Sequence, residues 1–105
     1  MANLDRNGYA PSILTDDMEH CYLCGRRDRK LDRHEVFHGI AYRSKSKADG
    51  LWVPLCHVPC HEGKDGVHGN AELERDLKQT AQEAAMSRYG WSVEGFIERY
   101  GKNWL

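Results

Sequence analysis

Four cysteines form two close pairs, and this spacing predicts a structural metal site. They are Cys21, Cys24, Cys56 and Cys60. A thiolate pair on a tight turn supplies two corners of a tetrahedron and a distant pair supplies the other two, which is how structural zinc is bound. The second pair has three residues between its cysteines, so His57 or His61 is an alternative ligand there.

Disulfides and buried free thiols are the competing interpretations of these cysteines. The first ten residues, MANLDRNGYA, lack the apolar stretch of a secretory signal. The expected compartment is therefore reducing, and disulfides are the weaker alternative. We expect one zinc ion on the four cysteines.

Histidines are concentrated around the segment that the cysteine pairs enclose. Four of the six lie within or directly after it: His34, His38, His61 and His68. An imidazole with a pKa near 6.5 can activate water at neutral pH, and further imidazoles can hold a cation against a phosphate. The pattern indicates a second, histidine-based metal site suited to phosphodiester hydrolysis. The structural alternative is that His34 packs on a strand without such a role.

Charge is nearly balanced over the chain, with a net charge of −1, but it is unevenly distributed. Residues 26–47 contain eight basic against three acidic residues, a local excess of five. The basic residues are Arg26, Arg27, Arg29, Lys30, Arg33, Arg43, Lys45 and Lys47. A basic segment beside a metal site favours a phosphodiester partner, and a solvated surface loop is the alternative.

Length and composition predict one small domain with a modest core. The chain has 105 residues, of which 30% are charged, so a metal staple would help it fold. Its apolar runs are far shorter than the roughly 20 residues that cross a membrane. We expect a soluble protein.

Two short strands are predicted to position the candidate site residues. Residues 1–19 are predicted to be an irregular arm. A strand from Leu31 to Tyr42, bending at Gly39, is followed by a loop over 43–50 and a second strand over 51–55, where Pro54 implies a sheet edge or a strand end. These segments predict a β-hairpin within a core of residues 20–70.

Two helices are predicted in a C-terminal extension, residues 71–105. From Ala71 to Tyr89, apolar residues recur at three- and four-residue spacing between a capping Asn70 and a terminating Gly90. A shorter helix over 93–100 is predicted between Ser92 and Gly101. We expect both helices to be structural, with their aromatic residues in packing contacts.

Taken in order, the segments CYLCG, LDRHEVFHG, GLWVPLCHVPCH and GVHGN resemble the HNH nucleases of the His-Me finger group, and more narrowly small phage-type proteins of that kind. The resemblance covers roughly residues 20–70. It implies an α+β fold, with a zinc-stapled ββα-metal core followed by two C-terminal helices. It also implies a metal-dependent endonuclease acting on DNA, with structural Zn²⁺, catalytic Mg²⁺ or another divalent cation, and the cytoplasm of a bacterial host as its location.

The resemblance assigns roles to individual residues. His34 takes the place of the general base, and His61 and His68 take those of the cation ligands. If the family motif is aligned one residue further along the chain, His34 is a cation ligand and Glu35 is the base. Arg43 would stabilise charge on the phosphoryl oxygens. The residues expected to contact nucleic acid are Arg33, His38, Arg43, Lys45 and Lys47.

One departure from the family pattern keeps a second hypothesis open. Gly50 stands where the resemblance leads us to expect the family's middle asparagine. The alternative is a non-catalytic zinc module of HNH descent that binds nucleic acid or a protein. In either case, the C-terminal helices are a candidate docking surface for a phage or host protein, and the oligomeric state stays open.

Overall fold

The computed structural model describes residues 4–63 and 66–105. Residues 1–3 of the predicted arm and 64–65 of the predicted loop after the second cysteine pair lie outside this range. The fold is α+β, as predicted, with a two-stranded antiparallel sheet and helices. Its elements are β1 (Leu31–Glu35), α1 (Arg43–Asp49), β2 (Trp52–Cys56), a helical turn (His57–His61), α2 (Ala71–Tyr89) and α3 (Val93–Tyr100).

The predicted hairpin forms, but its first strand is shorter than expected. β1 and β2 pair from Leu31 opposite Cys56 to Glu35 opposite Trp52. After one further backbone hydrogen bond, from Val36 N–H to the Leu51 carbonyl, the chain leaves the sheet. β2 is buried along its whole length. The sheet therefore presents the residues of β1 at the edge of the core.

A helix replaces the loop predicted over residues 43–50. α1 is anchored by buried Ser46, whose hydroxyl donates to the Phe37 carbonyl and accepts from the Phe37 N–H, at 2.8 and 3.1 Å. Gly50 ends the helix with φ of 72°, and a side chain there would collide with the carbonyl of Pro11. The prediction was wrong because a polar anchor, instead of an apolar stripe, holds α1.

The C-terminal helices have the predicted bounds. The Asn70 side chain accepts a hydrogen bond from the Leu73 N–H at the start of α2, and Gly90 ends the helix in the left-handed conformation. Ser92 and Gly101 play the same parts for α3. In the part of the chain that the structure describes, no helix combines the length and apolar character needed to cross a membrane.

A single buried cluster joins the hairpin to the C-terminal helices. Phe37 packs edge-to-face on Phe96 of α3, with ring centroids 5.4 Å apart. The cluster comprises Cys21, Val36, Phe37, Leu51, Val53, Leu55, Cys56, Val67, Leu77, Ala81, Ala85, Phe96 and Tyr100. The helices thus form part of the scaffold that supports β1.

A buried carboxylate links α1 to α3. Asp49 accepts hydrogen bonds from Nε and Nη2 of Arg99, at 2.5 and 2.8 Å, and from the Tyr100 hydroxyl at 2.6 Å. Burial, and then this carboxylate, raise the pKa of Tyr100 far above its ordinary value. The bidentate contact between Arg99 and Asp49 fixes α1 against the C-terminal extension.

Candidate metal centres

The four cysteines converge on one point. Cys21 and Cys24 lie on a turn closed by a hydrogen bond from Gly25 N–H to the Cys21 carbonyl. Cys56 ends β2, and Cys60 lies on the helical turn that follows. All four sulfur atoms lie within 4.8 Å of one another, which is compatible with zinc binding. This group is called the zinc clamp below.

The thiols of the clamp suit a cation. Burial would raise the pKa of Cys21, but backbone N–H groups, including that of Cys24 at 3.5 Å from the sulfur, hold the pKa near 6. Burial raises the pKa values of Cys56 and Cys60. One thiolate therefore forms readily, and zinc would displace protons from the others, since the thiolate is the zinc-binding form.

A second cluster brings together three histidines from different elements, and is called the histidine centre below. His34 lies on β1, His61 ends the helical turn, and His68 lies on the turn before α2. One ring nitrogen of each lies within 4.8 Å of the others. His68 Nε2 lies 3.1 Å from His61 Nε2. Three imidazoles at this spacing can bind one divalent cation.

A tight fold-back places His68 against His61. The Val67 N–H donates to the Cys60 carbonyl at 2.7 Å. A side chain at Gly66 would collide with the carbonyls of Pro59 and Cys60. The same short turn therefore supplies Cys60 to the zinc clamp and His61 to the histidine centre, so the two centres share one scaffold.

His34 is electrostatically unusual. Its side chain is 2% exposed, and within the described residues its Nε2 has no hydrogen-bond partner. Burial, and next the neighbouring His61 and His68, lower its pKa to about 3. A buried polar atom without a partner costs about 1–3 kcal/mol, and an ion is one of its recognised explanations. Burial therefore favours the neutral form of His34, whose Nε2 is satisfied by no protein group among the described residues.

Asp32 orients His61 and is a residue that the sequence analysis missed. Its Oδ2 lies 2.8 Å from His61 Nδ1. Burial would raise the pKa of Asp32, but hydrogen bonds with His61 and His57 outweigh it and hold the pKa below its usual value. The ionised carboxylate accepts the Nδ1 proton, which leaves the Nε2 lone pair of His61 for the histidine centre. Strand alternation was the available signal, because Asp32 and His34 are two residues apart on β1.

The histidine centre opens into a cavity of about 240 Å³ that gathers most of the predicted site residues. Its lining residues are Arg33, His34, Glu35, His38, Arg43, His61, Glu62 and His68. The Glu35 carboxylate accepts a hydrogen bond from the Tyr9 hydroxyl at 2.9 Å and lies 3.5 Å from Arg43 Nε. Burial and then the contact with Glu35 raise the pKa of Tyr9 to about 12. Two carboxylates and two arginines therefore share one cavity with four histidines.

His38 borders the same cavity and is held by α2. Its Nε2 lies 2.5 Å from Oε1 of Glu74. Burial would raise the pKa of Glu74, but the hydrogen bonds with His38 and Lys78 hold it below its usual value. Nothing in the sequence pairs residues 38 and 74, so this contact was not predicted.

The structure separates the basic residues predicted to contact nucleic acid into two arginines that line the cavity and two lysines that do not. Arg33 lies 4.5 Å from the ring of Tyr9 and forms an ion pair with Asp5 at 2.8 Å. Lys45 donates to the Arg99 carbonyl at 3.1 Å, and Lys47 lies 4.9 Å from the Tyr9 ring. Arg33 and Arg43 reach the cavity, whereas the two lysines lie outside its lining.

A larger cavity, of about 460 Å³, lies between the N-terminal arm and the sheet. It is lined in part by Pro11, Met18 and Trp52, and no histidine or cysteine contributes to its lining within the described residues. Its size alone does not make it the site of the chemistry.

No protein-family model, curated protein or solved structure matches this chain. The two clusters of metal-ligating side chains, and the cavity beside the histidine centre, are the features that bear on function.

Proposed function

We propose that the protein is a metal-dependent endonuclease that hydrolyses phosphodiester bonds in DNA, with a ββα-metal core of the HNH type. The observation that carries the proposal is the convergence of His34, His61 and His68 in a cavity lined by two arginines. The unpartnered Nε2 of His34 adds a specific reason for a cation at that place.

The donor set favours a transition metal over Mg²⁺. Imidazole nitrogens suit Zn²⁺, Co²⁺, Ni²⁺ and related ions, whereas Mg²⁺ prefers oxygen ligands and bound water. The three histidines would hold the ion, which would polarise a phosphoryl oxygen and lower the pKa of bound water. We therefore propose a cation other than Mg²⁺ as the better cofactor.

The environment of His34 supports the register in which it is a ligand and Glu35 is the base. A group whose pKa is lowered to about 3 is a weak base at neutral pH. Glu35 borders the cavity at the end of β1, where the Tyr9 hydroxyl fixes its carboxylate. In this proposal Glu35 accepts the proton of the attacking water.

Arg43 is placed to bind phosphate oxygens at the cavity, whereas the guanidinium of Arg33 is paired with Asp5. The Arg43 side chain is 62% exposed, so its guanidinium can reach a phosphodiester from its contact with Glu35. Contacts of this kind position a protein on nucleic acid without reading its bases. We propose cleavage with little sequence preference.

One observation favours the alternative of a non-catalytic zinc module. Gly50 has no room for a side chain, and the neighbouring Asp49 is committed to Arg99 and Tyr100. Neither residue can orient the base or bind the metal in place of the family's middle asparagine. The alternative therefore predicts binding of nucleic acid without strand scission.

Conversion of supercoiled plasmid tests the two proposals. Zinc-loaded protein is assayed with Mn²⁺, Co²⁺, Ni²⁺ or Mg²⁺, beside Glu35→Gln, His34→Ala and the control His20→Ala. We expect scission with the first three ions, a loss of about 100-fold or more in Glu35→Gln, and no loss in His20→Ala. His34→Ala should also lose cation binding at the histidine centre. A folded, zinc-loaded protein that binds DNA but never cuts it would establish the non-catalytic module.

A further inference from the structure

A third group of metal-ligating atoms shares one residue with the histidine centre. Oδ2 of Asp32 lies 2.6 Å from His57 Nδ1 and 2.8 Å from His61 Nδ1. The three donor atoms lie within 4.8 Å of one another. His57 is half exposed and does not line the 240 Å³ cavity. This group, called the outer site below, is therefore accessible from another side of His61.

Without a metal, hydrogen bonds from His57 and His61 to Asp32 hold the outer site together. An ionised carboxylate can only accept hydrogen bonds, so each imidazole donates its Nδ1–H to Asp32. A zinc ion can take the place of these two protons, because neutral imidazole nitrogens and a carboxylate oxygen are ordinary zinc ligands. Each histidine would then carry its proton on Nε2.

We propose that the outer site is an inhibitory zinc site, exclusive of a cation in the histidine centre. A neutral imidazole offers one lone pair. When Nδ1 of His61 binds zinc at Asp32, its Nε2 carries the proton and is no longer a ligand for the ion shared with His34 and His68. The inhibitory role rests on the proposed endonuclease function, whereas zinc binding at the outer site does not.

The expected order of filling follows from the ligands. Four thiolates bind zinc more tightly than two imidazoles and one carboxylate, so the zinc clamp fills first. Zinc in excess of one equivalent then partitions between the outer site, which it reaches through the exposed His57, and the histidine centre, which shares His61. The ligand class is thus a divalent transition metal at a concentration above that needed for folding.

Zinc binding is tested without any activity measurement. In a His34→Ala background, which weakens the histidine centre, calorimetric titration of clamp-loaded protein with Zn²⁺ should show one further site. Adding His57→Gln should weaken that site by about tenfold or more. Adding His20→Gln, which removes the imidazole of the exposed His20–Asp17 pair, should leave it unchanged. Equal affinity with and without His57 overturns the proposal.

Inhibition is tested in the chain with an intact histidine centre. Scission supported by Mn²⁺, which imidazole sites bind more weakly than Zn²⁺, is measured while Zn²⁺ is raised above one equivalent. We expect the wild type to lose activity at lower Zn²⁺ than His57→Gln, by about tenfold in concentration. Identical inhibition curves would contradict the exclusion. If no metal supports scission, displacement of Co²⁺ from the histidine centre, followed by its absorption, is the readout in place of cleavage.

Discussion

At the residue scale, the state of His34 decides how the site is interpreted. The sequence marks it as a histidine on a strand, which fits a base, a ligand or a packed side chain. The structure buries it, leaves its Nε2 without a partner among the described residues and surrounds it with three further imidazoles. These surroundings make its neutral form dominant and favour metal binding over proton transfer.

The free energy of unfolding should depend on pH because the pKa of His34 is low in the folded protein. Its folded pKa is about 3 against an ordinary value of 6.5, so between these values the unfolded chain binds the extra proton. The free energy of unfolding should therefore fall as pH drops below 6.5, by up to about 1.4 kcal/mol per pH unit from this residue. Chemical denaturation of clamp-loaded protein at pH 7 and pH 5.5 measures it. His34→Gln should show a shallower loss, and equal losses would contradict the assignment.

Asp32→Asn should weaken the histidine centre without unfolding the protein. An amide can present its NH₂ group to His61 and so permits the wrong tautomer, and loss of such a partner costs about 10- to 100-fold in metal affinity. Calorimetric titration with Co²⁺ measures the effect. Asp76→Asn, on the exposed face of α2, is the matched control. Unchanged affinity in Asp32→Asn would mean that His61 needs no orienting carboxylate.

At the scale of elements, helices with apolar periodicity and caps were predictable and α1 was not. α2 and α3 carry their start and stop signals in the sequence, at Asn70 and Gly90 and at Ser92 and Gly101. α1 has two serines and no apolar stripe, so its stability depends on what Ser46 meets in the folded chain. That partner, the backbone of Phe37, is nine residues away.

Ser46→Ala removes a single hydroxyl group but should destabilise the protein markedly. It would leave the buried N–H and carbonyl of Phe37 without partners, at a cost of about 2 kcal/mol or more in the free energy of unfolding. Ser44→Ala, on the exposed face of the same helix, should change it by less than about 0.5 kcal/mol. Urea denaturation of both variants measures the difference. Similar values for the two would show that Ser46 is not the anchor of α1.

At the scale of the whole molecule, two centres and one core share the short segment around the helical turn. The radius of gyration, 13.3 Å, matches the roughly 13 Å of a compact 100-residue domain, so the C-terminal helices pack closely on the hairpin. The four cysteines of the zinc clamp bring the first cysteine turn next to β2 and next to the turn that carries His61. Loss of the clamp should therefore affect the histidine centre as well.

Removal of zinc should unfold the domain. Structural zinc sites contribute on the order of 10 kcal/mol, comparable to the whole stability of a small domain. With a strong chelator we expect the cooperative thermal transition, followed by circular dichroism, to disappear, and readdition of Zn²⁺ to restore it. Cys24→Ser should lower the transition temperature even with zinc present. A chelated protein that melts at an unchanged temperature would show that the apolar core suffices.

The sequence by itself determined the zinc clamp, the hairpin and the two C-terminal helices. Each of these depends on local spacing: paired cysteines, short apolar runs, and capped periodic segments. Tertiary structure decided which side chains meet at the site. Asp32 contacts His61 because the helical turn packs beside β1, and Glu74 contacts His38 because α2 packs against the segment that follows β1. Strand alternation places Asp32 on the same face of β1 as His34, but its contact with His61 depends on packing between residues far apart in sequence.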